Sequence, residues 1–305
     1  MVDTATLSNV DNRRTPGDLP ARMAPAAGRR LLRRLRRERK AMVGLLIVGL
    51  LVLLALVGPA IAPYDPDRSD FGPLVAPSPA HPLGTDSYGR DLLSRLLIGA
   101  RVSVSVGILA ALLALVVGGL LGLVAGYYGG WVDSLVSRLV DLLWSFPVIV
   151  LAVGMVAIFG AGFRNVVIAV AVAYVDDFAR IVRAETLSLR EEEFATAARA
   201  AGATDGRIMI RHILPNEVAP IMVQLTFAVG LGILSESTLS FLGLGVQPST
   251  PTWGLALNEG RDFVRQAWWI SVFPGLAIVL TVLSLNLFGD GLRDALDVKG
   301  VGERA

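Results

Sequence analysis

Residues 102–131 read VSVSVGILAALLALVVGGLLGLVAGYYGGW and contain no charged side chain. A helix needs about 20 apolar residues to cross the hydrocarbon core of a bilayer, so this stretch predicts a membrane span. Small residues recur in it at every fourth position, namely Ala110, Ala114, Gly118, Gly122 and Gly126. Residues four apart share one helix face, and small side chains let helices approach closely in lipid. The stripe therefore predicts a helix-packing face, with a pore-lining role as the alternative.

Further apolar runs lie on both sides of this stretch, at residues 41–62, 142–163, 218–235 and 270–289. Each is predicted to be another span, and together with residues 102–131 they make five. The chain is 53% hydrophobic and 18% charged, whereas an ordinary soluble domain carries about a quarter charged residues. We therefore predict an all-α integral membrane protein.

The flank before the first run is strongly basic, with nine basic residues between Arg22 and Lys40. Lysine and arginine concentrate on the cytoplasmic side of membrane spans, so the N-terminus is predicted to be cytoplasmic. A nucleic-acid-binding arm is the alternative. It is disfavoured because a membrane span follows at once. Residues 1–20 lack periodicity and are predicted to be disordered.

A sixth span is predicted at residues 166–182, where the apolar part is only about half as long as the core requires. If this span crosses, the arginine-rich loop that follows lies in the cytoplasm, as the distribution of basic residues demands. Two acidic residues, Asp176 and Asp177, fall near its inner end. They could face an aqueous cavity, or pair at the headgroup level with Arg180 or Arg183.

Several kinds of chemistry are excluded by what the chain lacks. Neither lysine, Lys40 or Lys299, follows a glycine, so the chain has no P-loop for ATP. It contains no cysteine and only two histidines, His81 and His212, which leaves no thiolate chemistry and no histidine-rich metal centre. A Gly-x-Ser-x-Gly nucleophile elbow is also absent. We therefore predict no catalytic residues, no metal site and no cofactor in this chain.

The segment 184–216, between the fourth and fifth spans, has the composition of folded structure. Residues 193–201 read EFATAARAA and are rich in helix formers. Gly202 follows this helix and can end it. An ordinary connecting loop is the alternative, but such loops are usually shorter and less helical.

A second short helix is predicted directly after Gly202. Either Thr204 or Asp205 can cap its first turn. Because proline cannot continue a helical ladder, the helix is expected to end at Pro215. Two short helices joined by a tight bend would project from the membrane as a docking element.

Residues 195–216 read ATAARAAGATDGRIMIRHILPN and resemble the EAA loop of ABC-importer permease subunits. Two departures are that Thr196 stands where the family usually has glutamate, and His212 where many relatives have isoleucine. The string HILPN is the form found in the peptide-importer branch. The features shared with the loop are Ala197, Ala198, Gly202, Leu214 and Pro215.

Three other strings resemble the dipeptide/oligopeptide/nickel importer permeases. They are HPLGTD at residues 81–86, with the GRD, SR and GAR groups that follow it, ESTLSFLGLG at 236–245 with the following WG, and GDGLRD at 289–294. A departure is Val298, where the family usually has proline. The loop after the first span is short, which resembles the C-type rather than the B-type permease of such systems.

The resemblance, which covers about residues 37–297, implies a type I ABC importer permease fold with six transmembrane helices. It implies residues 1–40 as a cytoplasmic basic segment, 41–62 as the first span, 63–101 as a periplasmic loop, 102–290 as the permease core and 291–305 as a cytoplasmic tail. Within the core, residues 184–216 would be the loop that couples to an ATPase. Both termini would be cytoplasmic, and the chain would lie in the bacterial inner membrane.

Partners follow from the same resemblance. They are a homologous B-type permease, two ATP-binding subunits or one fused ATPase, and a periplasmic or lipid-anchored substrate-binding protein. The partner ATPases would bind ATP and magnesium and drive alternating access. Membrane lipid is a further partner, and no nucleic acid is expected. The residues implied in coupling are Glu193, Ala197, Ala198, Gly202, Ala203, Asp205, His212, Leu214, Pro215 and Asn216.

Four polar residues are candidates for the translocation path, namely Asp176, Asp177, Glu236 and Asn286. Glu236 is favoured for the outer gate because it is acidic near membrane depth, and local capping or pairing is the equal alternative. The predicted cargo is a di- or oligopeptide. Relatives also carry nickel chelates, glutathione or haem, and an ion-coupled transporter or a membrane receptor are alternatives from other classes.

Overall fold

The structure is a computed structural model that describes residues 35, 38–246 and 249–296, and this part of the chain is helical without a named strand. The predictions for residues 1–34 and 297–305 lie outside the described residues. The helices are α1 (Arg39–Ile61), α2 (Leu92–Tyr128), α3 (Gly130–Trp144), α4 (Val148–Phe159), α5 (Phe163–Ala173), α6 (Val175–Leu189), α7 (Glu193–Ala200), α8 (Asp205–Ile208), α9 (Leu214–Phe241), α10 (Trp253–Gly260) and α11 (Trp269–Leu296).

Four helices are long and apolar enough to cross a bilayer. They are α1, α2, α11 and the continuous helix Asp205–Phe241, which includes α8 and α9. A fifth span exists if α3 and α4 count as one. The all-helical membrane fold is therefore confirmed. The predicted number of six spans is not.

The longest helix, α2, begins at Leu92, before the uncharged run at residues 102–131 from which it was predicted. The Asp91 side chain accepts a hydrogen bond from the Ser94 backbone N–H, which caps the first turn at Leu92. The helix ends at Gly129, whose positive φ of 65° few other residues adopt. The charged residues Arg95 and Arg101 lie inside the helix, which is why the uncharged run starts later than the helix does.

The small-residue stripe of α2 packs against α6, as predicted. Any side chain at Gly118 or Gly122 would collide with the backbone carbonyl oxygens of Val175 and Ala179. One turn further along, Gly126 lies against Thr186 in the same way. The glycines therefore set the short distance between the two helices. The pore-lining alternative is not needed to explain them.

The third span differs from the single helix predicted at residues 142–163. The structure has two helices, α3 and α4, which meet at an angle of 89°. The break falls at Phe146 and Pro147, where proline forces the residue before it out of the helical region. The residues on both sides of the bend are apolar. Hydropathy alone therefore predicts one continuous helix here.

The predicted fourth span also consists of two helices. The short apolar helix α5 ends at Ala173, and α6 begins at Val175 after the single residue Tyr174. The Tyr174 hydroxyl lies 2.9 Å from Ser235 Oγ on α9, which holds this junction against a neighbouring span. Arg180 and Arg183 on α6 pair with Asp141 and Asp133 of α3. Arg180 and Arg183 therefore do not form the ion pairs with Asp176 or Asp177 that were considered from the sequence.

The first span, α1, lies against α11 and α2. A side chain at Gly44 would collide with the backbone of Phe288, and Gly58 meets the Leu97 carbonyl group in the same close way. An apolar cluster joins these helices to α9 and α10, and its buried members are Ala55, Ala100, Val104, Ile233, Trp253, Ile278 and Leu285.

Candidate functional site

The 184–216 segment folds as two short helices, in agreement with the sequence prediction. Helix α7 ends at Ala200, and Gly202 takes a positive φ of 79° directly after it. Helix α8 follows, with Thr204 as its capping residue by backbone position, although the Thr204 side chain makes no capping hydrogen bond. The bend brings the two helices together at one end of α2.

The inner face of the 184–216 segment is buried against the membrane helices. Ala195, Ile208 and Ile213 are fully buried. They pack in one apolar cluster with Leu123 and Tyr127 of α2 and with other residues of α6 and α9. The segment is therefore attached to the spans by an apolar contact. Because this contact is closely packed, a movement of the segment would displace the spans.

Two polar contacts add to this attachment at the end of α2. The Tyr127 hydroxyl donates to the Asp205 carboxylate at 2.8 Å. From the end of α6, the Arg190 guanidinium donates to the backbone oxygens of Gly126 and Tyr127, at 2.9 Å and 3.2 Å. A cation at the C-terminal end of a helix also interacts favourably with the helix dipole. Asp205 thus holds α2 rather than capping its own helix.

The outer face of the 184–216 segment is exposed and partly apolar. Ile210 is 65% exposed and Phe194 is 37% exposed. The small residues Ala197 and Gly202 lie exposed on the same segment, and Gly202 has no neighbouring atom within reach of an added side chain. Apolar residues exposed at this end of α2, next to small side chains, are typical of a surface that receives another protein.

The prediction that the second helix ends at Pro215 is wrong. Residues Met209–Ile213 form a π-helical turn, and α9 starts at Leu214 and runs on through the membrane. Proline is tolerated here because it lies in the first turn of α9, and the wider turn before it already departs from α-helical hydrogen bonding. The Asn216 side chain donates to the His212 carbonyl oxygen at 2.6 Å and bridges the change.

One buried residue of this region was missed by the sequence analysis. Glu217 is fully buried at the start of α9, and its carboxylate accepts a hydrogen bond from the Thr186 hydroxyl on α6. Its spacing of four residues from the buried Ile213 and Ile221 places it on an apolar face. That spacing was the only signal in the sequence, and an acidic residue after a helix-breaking proline does not suggest burial.

The four candidates for the translocation path lie in three different helices. Asp176, which is buried, and the half-buried Asp177 occupy the first turn of α6. Glu236 is fully buried in α9, where Ser240 donates to it at 2.7 Å. Asn286 is half-buried in α11. No hydrogen bond or ion pair joins any of these four described residues to another.

The opposite end of α2 carries the first loop, residues 62–91. His81 Nδ1 lies 2.9 Å from the Asp91 carboxylate, which also accepts from the Ser94 hydroxyl at 2.7 Å. His81 therefore acts as a hydrogen-bonded residue of the first loop. The rings of Tyr64 and Phe71 pack beside it.

A network of buried and partly buried charges joins the first loop to α10. Arg90 donates to Asp86 at 2.6 Å and to Glu259 of α10 at 2.8 Å. Arg95 of α2 is almost fully buried and lies 3.5 Å from the same two carboxylates. Burial lowers the pKa of the Arg90 guanidinium, but Asp86 and Glu259 raise it more, so the pKa ends above its ordinary value. Arg90 thus stays charged, as the network requires.

Two tryptophans extend this attachment. The Trp269 indole N–H donates to the Thr85 carbonyl oxygen at 3.1 Å, and that of Trp253 donates to the Leu96 carbonyl oxygen at the same distance. Since Trp269 begins α11 and Trp253 begins α10, the first loop, α10 and α11 form one rigid unit at this end. The string HPLGTD and the residues after it therefore have a structural role.

Two family models match this chain. Residues 118–299 match the binding-protein-dependent transport system inner membrane component. Residues 27–94 match the N-terminal TM domain of oligopeptide transport permease C. The second match covers α1 and the first loop, which is the region that the sequence assigned to a C-type permease.

Characterised relatives are similar over almost the whole chain. The glutathione transport system permease protein GsiD of Shigella flexneri is 50% identical over 269 residues, which are 88% of this chain and 89% of the relative. The dipeptide transport system permease protein DppC of Alkalihalophilus pseudofirmus is 44% identical over 272 residues, or 89% of this chain and 90% of the relative.

Among solved structures, an inward-facing form of the MetNI methionine ABC transporter is similar, with a TM-score of 0.54. It is 18% identical, and the match covers 66% of this chain and 95% of that one, so this likeness supports the fold alone. The family matches and the relatives go further. The chain belongs to the family of binding-protein-dependent transport system inner membrane components and, within it, to the C-type permeases of the dipeptide/oligopeptide/nickel importers.

Proposed function

We propose that this chain and a homologous B-type permease form the channel of an ATP-binding-cassette importer. Two ATP-binding subunits, or one fused ATPase, would bind ATP and magnesium beneath it. A periplasmic or lipid-anchored substrate-binding protein would deliver the cargo above it. Closure of the ATPases would move the 184–216 segment and shift the bundle between two packed states, which is alternating access.

The observation that carries this proposal is the build of the 184–216 segment. Its inner face is buried against α2, α6 and α9, while Ile210 and Phe194 are exposed on its outer face. A partner on that face would reach the spans through a continuous packed contact. The chain itself has no P-loop, so the energy of ATP has to enter through such a partner.

The coupling residues divide by this geometry into two groups. Asp205 would tie the segment to α2 through Tyr127. Pro215 and Asn216 would join the segment to α9 at the π-helical turn. The group proposed to meet the ATPase is Glu193, Ala197, Gly202, His212 and Leu214, with Ala198 and Ala203 behind it, packed against the inner apolar cluster.

The proposed orientation places the 184–216 segment and both termini in the cytoplasm, and the first loop in the periplasm. The nine basic residues from Arg22 to Lys40, before the first apolar run, support it because basic residues remain on the cytoplasmic side. The chain would then lie in the bacterial inner membrane. The rigid unit of the first loop, α10 and α11 would face the substrate-binding protein.

The proposed cargo is a short peptide, either a dipeptide, a longer peptide or glutathione. The relatives named for glutathione and for dipeptide transport are 50% and 44% identical to this chain. Glutathione is itself a tripeptide, so one peptide-sized path would serve either cargo. Nickel chelates and haem, which other relatives carry, are the alternatives.

The path itself is proposed to pass the break between α5 and α6, where Asp176 and Asp177 lie beside the Tyr174–Ser235 contact. Carboxylates within a membrane-spanning segment usually mark a substrate or ion pathway. Asn286 is a further candidate on α11. Glu236 would have to leave its contact with Ser240 to act as an outer gate.

Copurification tests the proposed partner directly. Tagged wild-type chain, expressed together with the proposed partner permease and ATPase subunits, should bring down an ATPase. Ile210→Asp places a charge on the exposed outer face and should abolish that copurification. Val264→Asp is the matched control, because Val264 is 50% exposed at the first-loop end and should retain the ATPase. An Ile210→Asp chain that still binds the ATPase would refute the proposed docking surface.

A further inference from the structure

The contact between Thr186 and Glu217 is the only hydrogen bond between side chains of α6 and α9 in the described part of the chain. Both residues are fully buried. One Glu217 oxygen, Oε1, accepts from the Thr186 hydroxyl, and the other, Oε2, has no hydrogen-bond partner. A buried polar atom without a partner is rare in folded proteins and calls for an explanation.

Stability does not explain this carboxylate. Glu217 shares its face with Ile213 and Ile221, and Thr186 shares its face with the buried Val182. A side chain of similar size without charge would fill the same space without an unpaired oxygen. Replacing both partners of a buried polar contact with apolar groups is often neutral or stabilising.

The position of the contact suggests a use. Glu217 lies in the first turn of α9, just beyond the π-helical turn and Pro215, where regular α-helical hydrogen bonding is interrupted. Side chains therefore have to fix the start of α9 in place of the backbone. Asn216 fixes it to the 184–216 segment through the His212 carbonyl oxygen. Glu217 fixes it to α6.

The contact also reaches α2. Thr186 lies directly against Gly126, where an added Cβ would come within 2.7 Å of Thr186 Cβ. The Thr186 side chain thus packs against α2 through its Cβ and methyl carbon, and it bonds to α9 through its hydroxyl. Three of the helices that form the body of the bundle meet at this point.

We propose that the Thr186–Glu217 hydrogen bond is the joint that carries movement of the 184–216 segment into α6 and α9 together, with Glu217 as a positioning residue. The proposal rests on the function proposed above. Without the joint, α9 would turn about the π-helical turn while α6 stayed behind. ATP would then be hydrolysed with less transport.

The test is the ratio of substrate taken up to ATP hydrolysed, measured for the complete complex in proteoliposomes. Radiolabelled glutathione and dialanine are the two probes. We expect Glu217→Leu and Thr186→Val each to lower the ratio about fivefold, a typical size for a residue in a coupling network. Thr186→Ser keeps the hydroxyl, and Glu217→Gln keeps an acceptor oxygen, so both should retain the wild-type ratio.

The double variant Glu217→Leu/Thr186→Val decides between a joint and two independent effects. If the two residues act through one bond, the double variant falls no further than either single variant. The proposal would be overturned if the single variants kept the wild-type ratio of uptake to ATP hydrolysis. It would also be overturned if the double variant lowered that ratio by the product of the two single effects. If Glu217→Leu fails to assemble, Thr186→Val and Thr186→Ser differ by little volume and give the same decision.

The failure of this joint and the failure of the proposed function give different results. If the wild-type complex takes up neither probe, the proposed cargo is contradicted. The joint then has to be tested by a measurement that does not depend on uptake. The readout is then the ATP-induced change in thiol labelling of Ala184→Cys, an exposed position on α6, compared per ATP hydrolysed between chains with threonine and with valine at position 186. An equal change in both would also overturn the joint.

Discussion

At its first-loop end, α2 enters a network of buried and matched charges, whereas at its other end it meets a segment held mainly by apolar packing. The first end joins Arg90 and Arg95 to Asp86 and Glu259, and tryptophan indoles add further hydrogen bonds. The second end has a π-helical turn and one carboxylate oxygen without a partner.

These two kinds of contact differ in how much movement they allow. Buried charge networks are rigid because any displacement leaves a charge without its partner in a medium of low polarity. Apolar contacts can slide with little change in energy, and an interrupted helix can turn. We infer that the first-loop end is the fixed part of the molecule and the 184–216 end the moving part.

The largest effect on stability is expected at the first-loop end. Arg95→Met removes one of the two guanidinium groups that lie beside the Asp86 and Glu259 carboxylates. Loss of one partner from a buried charge pair costs about 3–5 kcal/mol of unfolding free energy. Denaturant unfolding of the purified chain in lipid nanodiscs measures this cost.

The control is Arg68→Met, because the pair of Arg68 with Asp70 is exposed and should be worth nothing measurable. Equal stability of the Arg95→Met and wild-type chains would contradict a rigid first-loop end.

A smaller effect is expected along the contact that links the two ends. Gly122→Val forces a branched side chain against the Ala179 carbonyl oxygen of α6. Overpacking of this kind costs about 2 kcal/mol. The same denaturant experiment measures it. Gly119→Val is the matched control, since an added side chain there meets only the end of Leu115, and it should be near neutral.

The smallest stability effect is expected at the 184–216 end. Tyr127→Phe removes one hydroxyl and its hydrogen bond to Asp205. The expected loss of unfolding free energy is about 1 kcal/mol, the usual worth of such a bond. Uptake per ATP should fall in the same variant if the bond ties α2 to the segment. Tyr128→Phe, which alters an exposed neighbour, is the control and should leave both quantities unchanged.

Much of the helical framework could be predicted from the sequence because it depends on local patterns. The spans at α1, α2, α9 and α11 follow from apolar length, and the glycine stripe of α2 follows from a spacing of four. The α3–α4 bend could not be read from the apolar run, because lipid-facing composition continues through it. Pro147 was the signal, but proline also occurs inside continuous spans such as α9 and α11.

The contacts that hold the two ends could not be predicted, because they join residues far apart in the chain. Arg95 and Glu259 are separated by 164 positions, and Thr186 and Glu217 by 31. No local pattern states which charge meets which. The resemblance implied a coupling role for the 184–216 segment, but only the fold places Asp205 beside Tyr127 and buries Glu217.

Thiol labelling tests the opposite placement of the two ends most directly, and the absence of cysteine from this chain makes the experiment clean. Ile210→Cys and Val264→Cys each introduce one exposed thiol, at the 184–216 end and at the first-loop end. A membrane-impermeant maleimide should label Val264→Cys only in right-side-out vesicles and Ile210→Cys only in inside-out vesicles, with bound ATPase subunits protecting the latter. Labelling of Ile210→Cys from the outside, or no protection by the ATPase, would contradict the coupling role of this segment.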